Sequence, residues 1–247
     1  RFLQAAPISF DAATLELWGP LLNGGCCVVY AGSALDFETL NQTLVEQAVN
    51  AIWLTAGLFE QWSEVAAEAP SLRWILAGGD VVNPAAVKRV YQALPGATLI
   101  NGYGPTENTT FSCCYTIPRD ANEGQAIPIG SAINGTQLYI VSADGHLVPK
   151  GCVGELWLGG DGLAQGYLNQ QALTAERFIQ NPFSDDAESR VYKTGDLVQY
   201  QADGHVAFMG RQDAQVKVRG FRVDPGEVES QLVALDNVSS ALVLVQE

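Results

Sequence analysis

No uninterrupted apolar run in the 247-residue chain is long enough to span a bilayer, so no membrane segment is indicated. Basic residues are scarce. Lys and Arg number 13 against 27 Asp and Glu, and the net charge of −14 argues against a nucleic-acid surface or an anionic membrane as partner. The two histidines and five cysteines lack metal-site spacing. His146 and His205 each follow an Ala-Asp-Gly turn and read as hairpin residues. Cys26/Cys27 and Cys113/Cys114 are adjacent, and neighbours on a strand point to opposite faces, so these read as reduced, space-filling cytosolic thiols rather than a disulfide or metal site. Low-complexity segments and Pro/Ser-rich linkers are absent, as are an initiating Met and a signal-peptide pattern. The opening Arg1-Phe2-Leu3-Gln4 is expected to lie partway along a longer polypeptide. What remains, 47% hydrophobic and 16% charged, is the composition of a soluble globular protein with length for one large or two smaller domains.

Between Cys26 and Asn101 apolar strands alternate with helical stretches, which is α/β organisation. The predicted strands are Cys26–Tyr30, Ala51–Leu54, Leu72–Ala77 and Thr98–Asn101. Phe37, Leu40, Leu44 and Ala48 recur at helical spacing, and Asn83 with Pro84 supplies an N-cap and first-turn proline for a helix ending near Leu94. After about Ile127 short β-runs take over, at Gln137–Val141, Gly154–Gly159, Val198–Tyr200, Val206–Gly210 and Val216–Val218, so hairpins replace crossovers. The echo between Ser142–His146 and Gln201–His205 needs only two Asp-Gly turns, not a duplication. From Asp213 a small hairpin, a helix near Pro225–Leu235 and a strand Ala241–Val245 are expected. The predicted units are residues 1–126, 127–212 and 213–247, with a tight hinge at Gly210–Asp213.

Asn101-Gly102-Tyr103-Gly104-Pro105-Thr106-Glu107-Asn108-Thr109 follows one of these strands, and ligands of parallel sheets sit beyond the carboxyl ends of strands. Its two glycines permit unusual φ values and close approach of a ligand. Tyr103 offers a flat face to a purine, Thr106 and Thr109 offer hydroxyls to phosphate, and Glu107 offers an oxygen to magnesium. An ordinary Gly-Pro turn is the alternative. In Tyr192-Lys193-Thr194-Gly195-Asp196 a glycine turn precedes a carboxylate able to accept both hydroxyls of a ribose. The segment Gly210–Arg222 sets cations at alternating strand positions, with Lys217 and Arg219 on one face. Arg190, Lys193, Arg211, Lys217, Arg219 and Arg222 stand against Asp196, Asp203 and Asp213, a window of +3 that is either a solvated face or a cluster for a polyphosphate. Ser9-Phe10-Asp11-Ala12 places a carboxylate among apolar residues. If buried, Asp11 requires a cation, and an amino-acid ammonium would serve.

These segments, together with Gly154–Asn169 (GELWLGGDGLAQGYLN), resemble in order and spacing the adenylation domains of nonribosomal peptide synthetases, within the adenylate-forming superfamily. The resemblance covers essentially the whole chain. It implies an α/β fold: a parallel-sheet αβ subdomain, then a β-barrel-like subdomain and the start of a small α+β C-terminal subdomain. It implies an ATP-dependent, AMP-forming ligase that activates an amino acid and passes it to the phosphopantetheine thiol of a carrier protein. ATP or AMP and Mg2+ are the implied cofactors, and peptidyl carrier and condensation domains the implied partners, in the cytoplasm. By position, Asn101, Gly102 and Tyr103 resemble the adenine side of the site, Thr106 the phosphate contact and Glu107 the magnesium ligand. Asp196 resembles the ribose ligand, Arg211 the arginine on ribose and phosphate, and Asp213 the hinge, while Lys217 and Gly220 lie on the loop of the thioester-forming state. Asp11 matches the residue that pairs with the substrate ammonium, which separates amino-acid activators from acyl-coenzyme A or aryl-acid ligases of the same fold.

The same register assigns the side-chain pocket to Ala12, Leu15, Trp53, Ile75, Ala77, Gly102, Thr110 and Phe111, none of them charged. Trp53 and Phe111 shorten the cavity and Leu15 and Ile75 make it apolar, so a small branched aliphatic substrate is expected, valine first. Such a pocket separates neighbours differing by a methylene by only ~1–3 kcal/mol. Ordinary core is the alternative for any of these positions. Two family features have no counterpart: the Gly/Ser/Thr-rich phosphate loop, whose place precedes Arg1, and a terminal lysine, whose place follows Glu247. The chain alone is therefore expected to be impaired. The alternatives are an acyl-coenzyme A or aryl-acid ligase and a non-catalytic fragment.

Overall fold

Helices return the chain between strands of a seven-stranded sheet, which is why its first five strands run parallel. These are β1 (Phe2–Gln4), β2 (Cys27–Val29), β3 (Ala51–Thr55), β4 (Trp74–Gly78) and β5 (Thr98–Tyr103); β6 (Cys113–Ile117) and β7 (Ser131–Ala132) then add antiparallel. The spatial order is β2-β1-β3-β4-β5-β6-β7. The computed structural model describes residues 1–32, 35–121, 124–213, 215–218, 221–235 and 237–244. All five residues of β3 are buried, as expected for a parallel strand covered on both faces.

The intervening helices are α1 (Ala13–Leu22), α2 (Phe37–Glu46), α3 (Ala56–Ser63) and α4 (Pro84–Ala93). Asp36 caps α2 through the Thr39 amide (2.8 Å), and Asn83 caps α4 through the Ala85 amide (2.9 Å) with Pro84 in its first turn. Leu40 and Leu44 of α2 and Val87 and Val90 of α4 enter one apolar core with Phe59, Trp62, Ile75 and Leu99. Two elements escape the sequence pattern. Strand β1 has only three residues, too few to show a period, and α3 begins directly on the last residue of β3, where Thr55 accepts from the Leu58 amide (3.4 Å). The cysteines divide: Cys113 is buried, and burial pushes its thiol up to about 12, whereas Cys26 is exposed just before β2 and fills no core space.

The second sheet is antiparallel and curled, with strands β8 (Thr136–Val141), β9 (Val153–Gly160), β10 (Phe178–Gln180), β11 (Arg190–Tyr200) and β12 (Val206–Arg211); helix α5 (Gln171–Arg177) precedes β10. Strand β11 runs straight through Thr194-Gly195-Asp196, which the sequence suggested to be a turn. The register with β9 shifts between Lys193 and Leu197, and Gly195 takes φ +74°. A bulge thus re-aims Asp196 without reversing the chain. The two sheets share a core in which Tyr103, Cys113 and Ile129 meet Ile140, Leu156, Leu158, Val198 and Val206. The hairpin β13 (Val216–Val218) and β14 (Phe221–Val223) and helix α6 (Pro225–Val233), capped by Asp224 through the Gly226 amide (2.9 Å), complete the described elements. The expected strand Ala241–Val245 does not form over Ala241–Leu244, because no described strand pairs with it; Val243 donates its amide to Glu229 instead (2.8 Å), and Val245 lies outside the described residues.

Helix α1 is fixed to the end of β1 by a buried acid. Glu16 is inaccessible to solvent, and its Oε2 accepts the amides of Ala5 (3.1 Å) and Ala6 (2.9 Å) while Oε1 has no hydrogen-bond partner among the described residues. Burial outweighs these two bonds and raises the carboxyl from 4.5 to about 7. A group raised on folding contributes stability that is complete below its unfolded value and is lost as pH climbs through its folded one. Glu16→Gln keeps an acceptor and removes this loss. Thermal melts should therefore place the variant below or level with the parent at pH 4.5 and above it at pH 8, a swing of up to about 3 kcal/mol. A pH-independent difference would contradict this.

Candidate active site

The carboxyl ends of β3, β4 and β5 open onto a cavity of about 130 Å³, as parallel-sheet geometry requires. Trp53, Gly79, Gly102 and Tyr103 supply the strand-end wall, and the chain after β5 folds over as a 3₁₀ turn, Thr106–Asn108. Gly102 and Gly104 take no positive φ; their need is space. A Cβ on Gly102 would stand 2.6 Å from the Phe111 ring, and one on Gly104 would stand 2.4 Å from the Thr110 carbonyl. The unusual φ values fall instead on Thr109 (+51°) and Thr110 (+67°). Two consecutive β-branched residues in the left-handed region are costly, on the order of 1–3 kcal/mol each.

That strained corner grips Asp11. The Thr106 hydroxyl donates to Asp11 Oδ2 and the Thr110 hydroxyl to the Asp11 carbonyl (3.1 Å). Asp11 is half-buried on the cavity wall with Phe10 and Ala12, and makes no ion pair among the described residues. Behind it Trp53 packs on Phe10, with ring centroids 5.6 Å apart, and the buried Trp53 indole nitrogen has no hydrogen-bond partner among the described residues.

Asp196 lines the same cavity. Its Oδ2 accepts from the Tyr103 hydroxyl and its Oδ1 from Arg211 Nη1, the residue directly across in β12. Burial and the Asp196 charge push the Tyr103 phenol well above its ordinary value, so it remains a donor. Arg211 continues to Asp213 (2.7 and 2.9 Å), the Thr194 carbonyl (3.1 Å) and Gln215 (2.7 Å), and Gln215 reaches Asp224 at the cap of α6 (3.0 Å). Burial raises the Asp213 carboxyl, but the Arg211 hydrogen bonds and charge more than offset this and hold it below the ordinary range.

Glu107 faces a neighbouring cleft of about 470 Å³, shared with Thr106, Tyr167, Gln215, Asp224 and Glu227. Its Oε1 accepts from Tyr167 (2.6 Å) and Tyr192 (2.8 Å). No group of three or more His, Cys, Asp or Glu suited to hold a metal occurs among the described residues. A divalent ion here would be held by one carboxylate and completed by the ligand's own oxygens, the pattern of magnesium with nucleotides. Glu107, a hard oxygen donor beside the Thr106 hydroxyl, fits that pattern.

Of the residues expected from sequence, Asp11, Ala12, Trp53, Gly102, Tyr103, Thr106, Thr110, Phe111, Asp196 and Arg211 line one cavity. Asn101 lies beneath it, its amide donated to the Pro128 carbonyl (2.8 Å). Ile75 and Ala77 sit in the first core, and Leu15 is a half-buried residue of α1; none of the three lines the cavity. The described cations of the basic window diverge: Arg190 caps the carbonyls of Ala164 and Gln165, Lys193 lies over Trp157, and Arg211 alone reaches the cavity. The Lys217 side chain and Gly220 lie outside the described residues. Sequence reasoning gave Tyr167, Tyr192 and Gln215 no role; both tyrosines stand in recognisable motifs, but their convergence on Glu107 spans 60 and 85 residues.

Residues 1–168 match the family described as AMP-binding enzyme. The whole chain is similar to 3% of the length of a linear gramicidin synthase polypeptide from Brevibacillus parabrevis, at 49% identity, and to 6% of gramicidin S synthase 2 from Brevibacillus brevis, at 43% identity over 249 positions. It therefore spans a small fraction of these curated relatives. Among solved structures, PA1221, a nonribosomal peptide synthetase protein containing adenylation and carrier (PCP) domains, superposes with a TM-score of 0.92 at 41% identity, over 100% of this chain and 50% of that one. With a family match across more than half its length and a cavity at the expected strand ends, the chain belongs to the AMP-binding enzyme family.

Proposed function

We propose that this chain forms part of an amino-acid adenylation domain in which Asp11 takes the substrate ammonium and Asp196 the ribose of ATP. The observation that carries this reading is that these two carboxylates sit on one cavity with different company. Among the described residues, Asp196 has a cationic partner in Arg211 and the Asp11 carboxylate has only the Thr106 hydroxyl. A half-buried carboxylate without a cation favours a cationic ligand group. Asp196 retains lone pairs for two hydroxyls after Tyr103 and Arg211 are served.

In the reaction proposed, an oxygen of the amino-acid carboxylate attacks the α-phosphorus of ATP and pyrophosphate leaves. Asp11 orients the amino acid, Tyr103 and Asp196 the nucleoside, and Thr106 turns its hydroxyl to phosphate. Such steps depend on positioning and charge neutralisation. Magnesium, when bound at Glu107, would supply charge neutralisation on the phosphate oxygens. Attack of a carrier-protein phosphopantetheine thiol on the acyl carbon, breaking the acyl–phosphate bond and releasing AMP and the thiol proton, would follow rotation at Asp213, with the segment that carries Lys217 brought forward. Units at 1–126, 127–212 and 213–247 belong to this reading, as do peptidyl carrier and condensation partners. No helix of the described residues is long and apolar enough to cross a membrane.

The test is amino-acid-dependent ATP–pyrophosphate exchange by the chain and by a version extended at both ends. The extended version should exchange with valine ahead of isoleucine and leucine, and Asp11→Asn should lower kcat/KM by about 100-fold, the scale of an unpaired buried charge. Exchange that ignores amino acids, or survives Asp11→Asn, would remove the reading in favour of an acyl or aryl-acid ligase.

Pocket size offers an independent check. Trp53→Ala should raise the kcat/KM ratio of phenylalanine to valine at least tenfold, within the range a reshaped apolar pocket commands of roughly 10–200-fold. An unchanged ranking would take Trp53 out of the substrate pocket.

A further inference from the structure

Glu107 is held at one oxygen by two phenols whose hydroxyls lie 3.4 Å from each other. The phenols are set by a shared ring: Phe178 meets Tyr167 edge-on at 5.4 Å and 74°, and Tyr192 at 5.0 Å. Tyr192 is fully buried, so its hydroxyl needs a partner wherever it lies. Tyr167 is only half-buried and could use water, so its direction toward Glu107 reflects geometry rather than need.

That geometry is heavily specified. Gly166 takes φ +147°, where a Cβ would stand 2.3 Å from Thr174 Cγ2, and the next amide, of Tyr167, donates to Thr174 Oγ1 (2.9 Å). The same loop is strapped to the 3₁₀ turn by the Ala164 amide on the Glu107 carbonyl (2.9 Å) and by the Thr109 hydroxyl on the Gly162 carbonyl (2.6 Å). Main chain and side chain of Glu107 are thus both clamped from strand β11 and the loop before α5. A glutamate on a three-residue turn would otherwise sample many rotamers, and a metal ligand that must be ordered on binding loses affinity for it.

We propose that Tyr167 and Tyr192 are positioning residues for Glu107, fixing Oε1 so that the carboxylate meets a nucleotide-borne divalent cation in one orientation. This rests on the reading of Glu107 as the magnesium ligand. Partners of a metal ligand typically influence metal affinity by about 10–100-fold.

The experiment uses Mn2+ as probe, read by electron paramagnetic resonance with saturating ATP, on the version extended at both ends. Tyr167→Phe and Tyr192→Phe should each weaken ATP-dependent Mn2+ binding about tenfold and the double variant about 100-fold. ATP affinity in EDTA and the melting temperature of Tyr167→Phe should match the parent. Metal binding unchanged in a folded Tyr167→Phe and in the double variant, with Glu107→Gln abolishing it, would overturn the proposal and leave the reading of Glu107 intact. Metal binding that also survives Glu107→Gln would overturn that reading, and the proposal with it.

Discussion

A carboxylate stripped of water must find donors, and Asp196 finds one on each sheet. Tyr103 comes from the end of the parallel sheet and Arg211 from the antiparallel one, each on its own Asp196 oxygen. Removing Arg211 would leave a buried charge without its counter-ion, a loss on the order of 3–5 kcal/mol, and removing the Tyr103 hydroxyl would cost one hydrogen bond to a charged group, about 1–3 kcal/mol. The rest of the site follows from this crossing. Tyr103 fixes the exit of β5, the turn after it carries Thr106 and Glu107, and Thr106 with Thr110 fixes Asp11. In the other direction Arg211 leads through Asp213 and Gln215 to the Asp224 cap of α6, so the cavity and that helix share one polar chain.

The corner after β5 is where local preference yields to that arrangement. Thr109 and Thr110 are poor residues for the left-handed region, yet both adopt it. Their hydroxyls are then spent on the Gly162 and Asp11 carbonyls, and the Ser112 amide closes back on Tyr103 (2.8 Å). A glycine pair would relax the backbone but lose both side-chain ties. Strain held by over-determined surroundings is common at ligand sites, and here it accompanies the Thr110 contact on Asp11.

Periodicity made the parallel half legible: the alternation of apolar strands with capped helices gave β3 to β5 and α4 nearly to their ends. What it missed lacks a period. Strand β1 is too short, α3 has no connecting loop, and the Gly195 bulge looks like a turn because a positive-φ glycine before an aspartate serves either purpose. The cavity was legible wherever chemistry was concentrated, as at Asp11, Tyr103, Thr106, Asp196 and Arg211. It was less so where only register was available. Ile75 and Ala77 lie on the core face of β4, and Asn101, one residue before Gly102, turns its amide under the sheet toward Pro128. Contacts such as Tyr167 and Tyr192 on Glu107 join distant segments through packing, which no local pattern encodes.

The most direct measurement is a calorimetric comparison of AMP with its 2′,3′-dideoxy form on the parent chain and on Asp196→Asn. If the carboxylate between Tyr103 and Arg211 is the ribose ligand, loss of both hydroxyls should weaken binding to the parent at least tenfold, as expected for hydrogen bonds to a charged group. The same comparison on a folded Asp196→Asn should show little difference. Equal affinity of the parent for both nucleotides, or a penalty that persists in the variant, would contradict the placement of the nucleotide at this crossing.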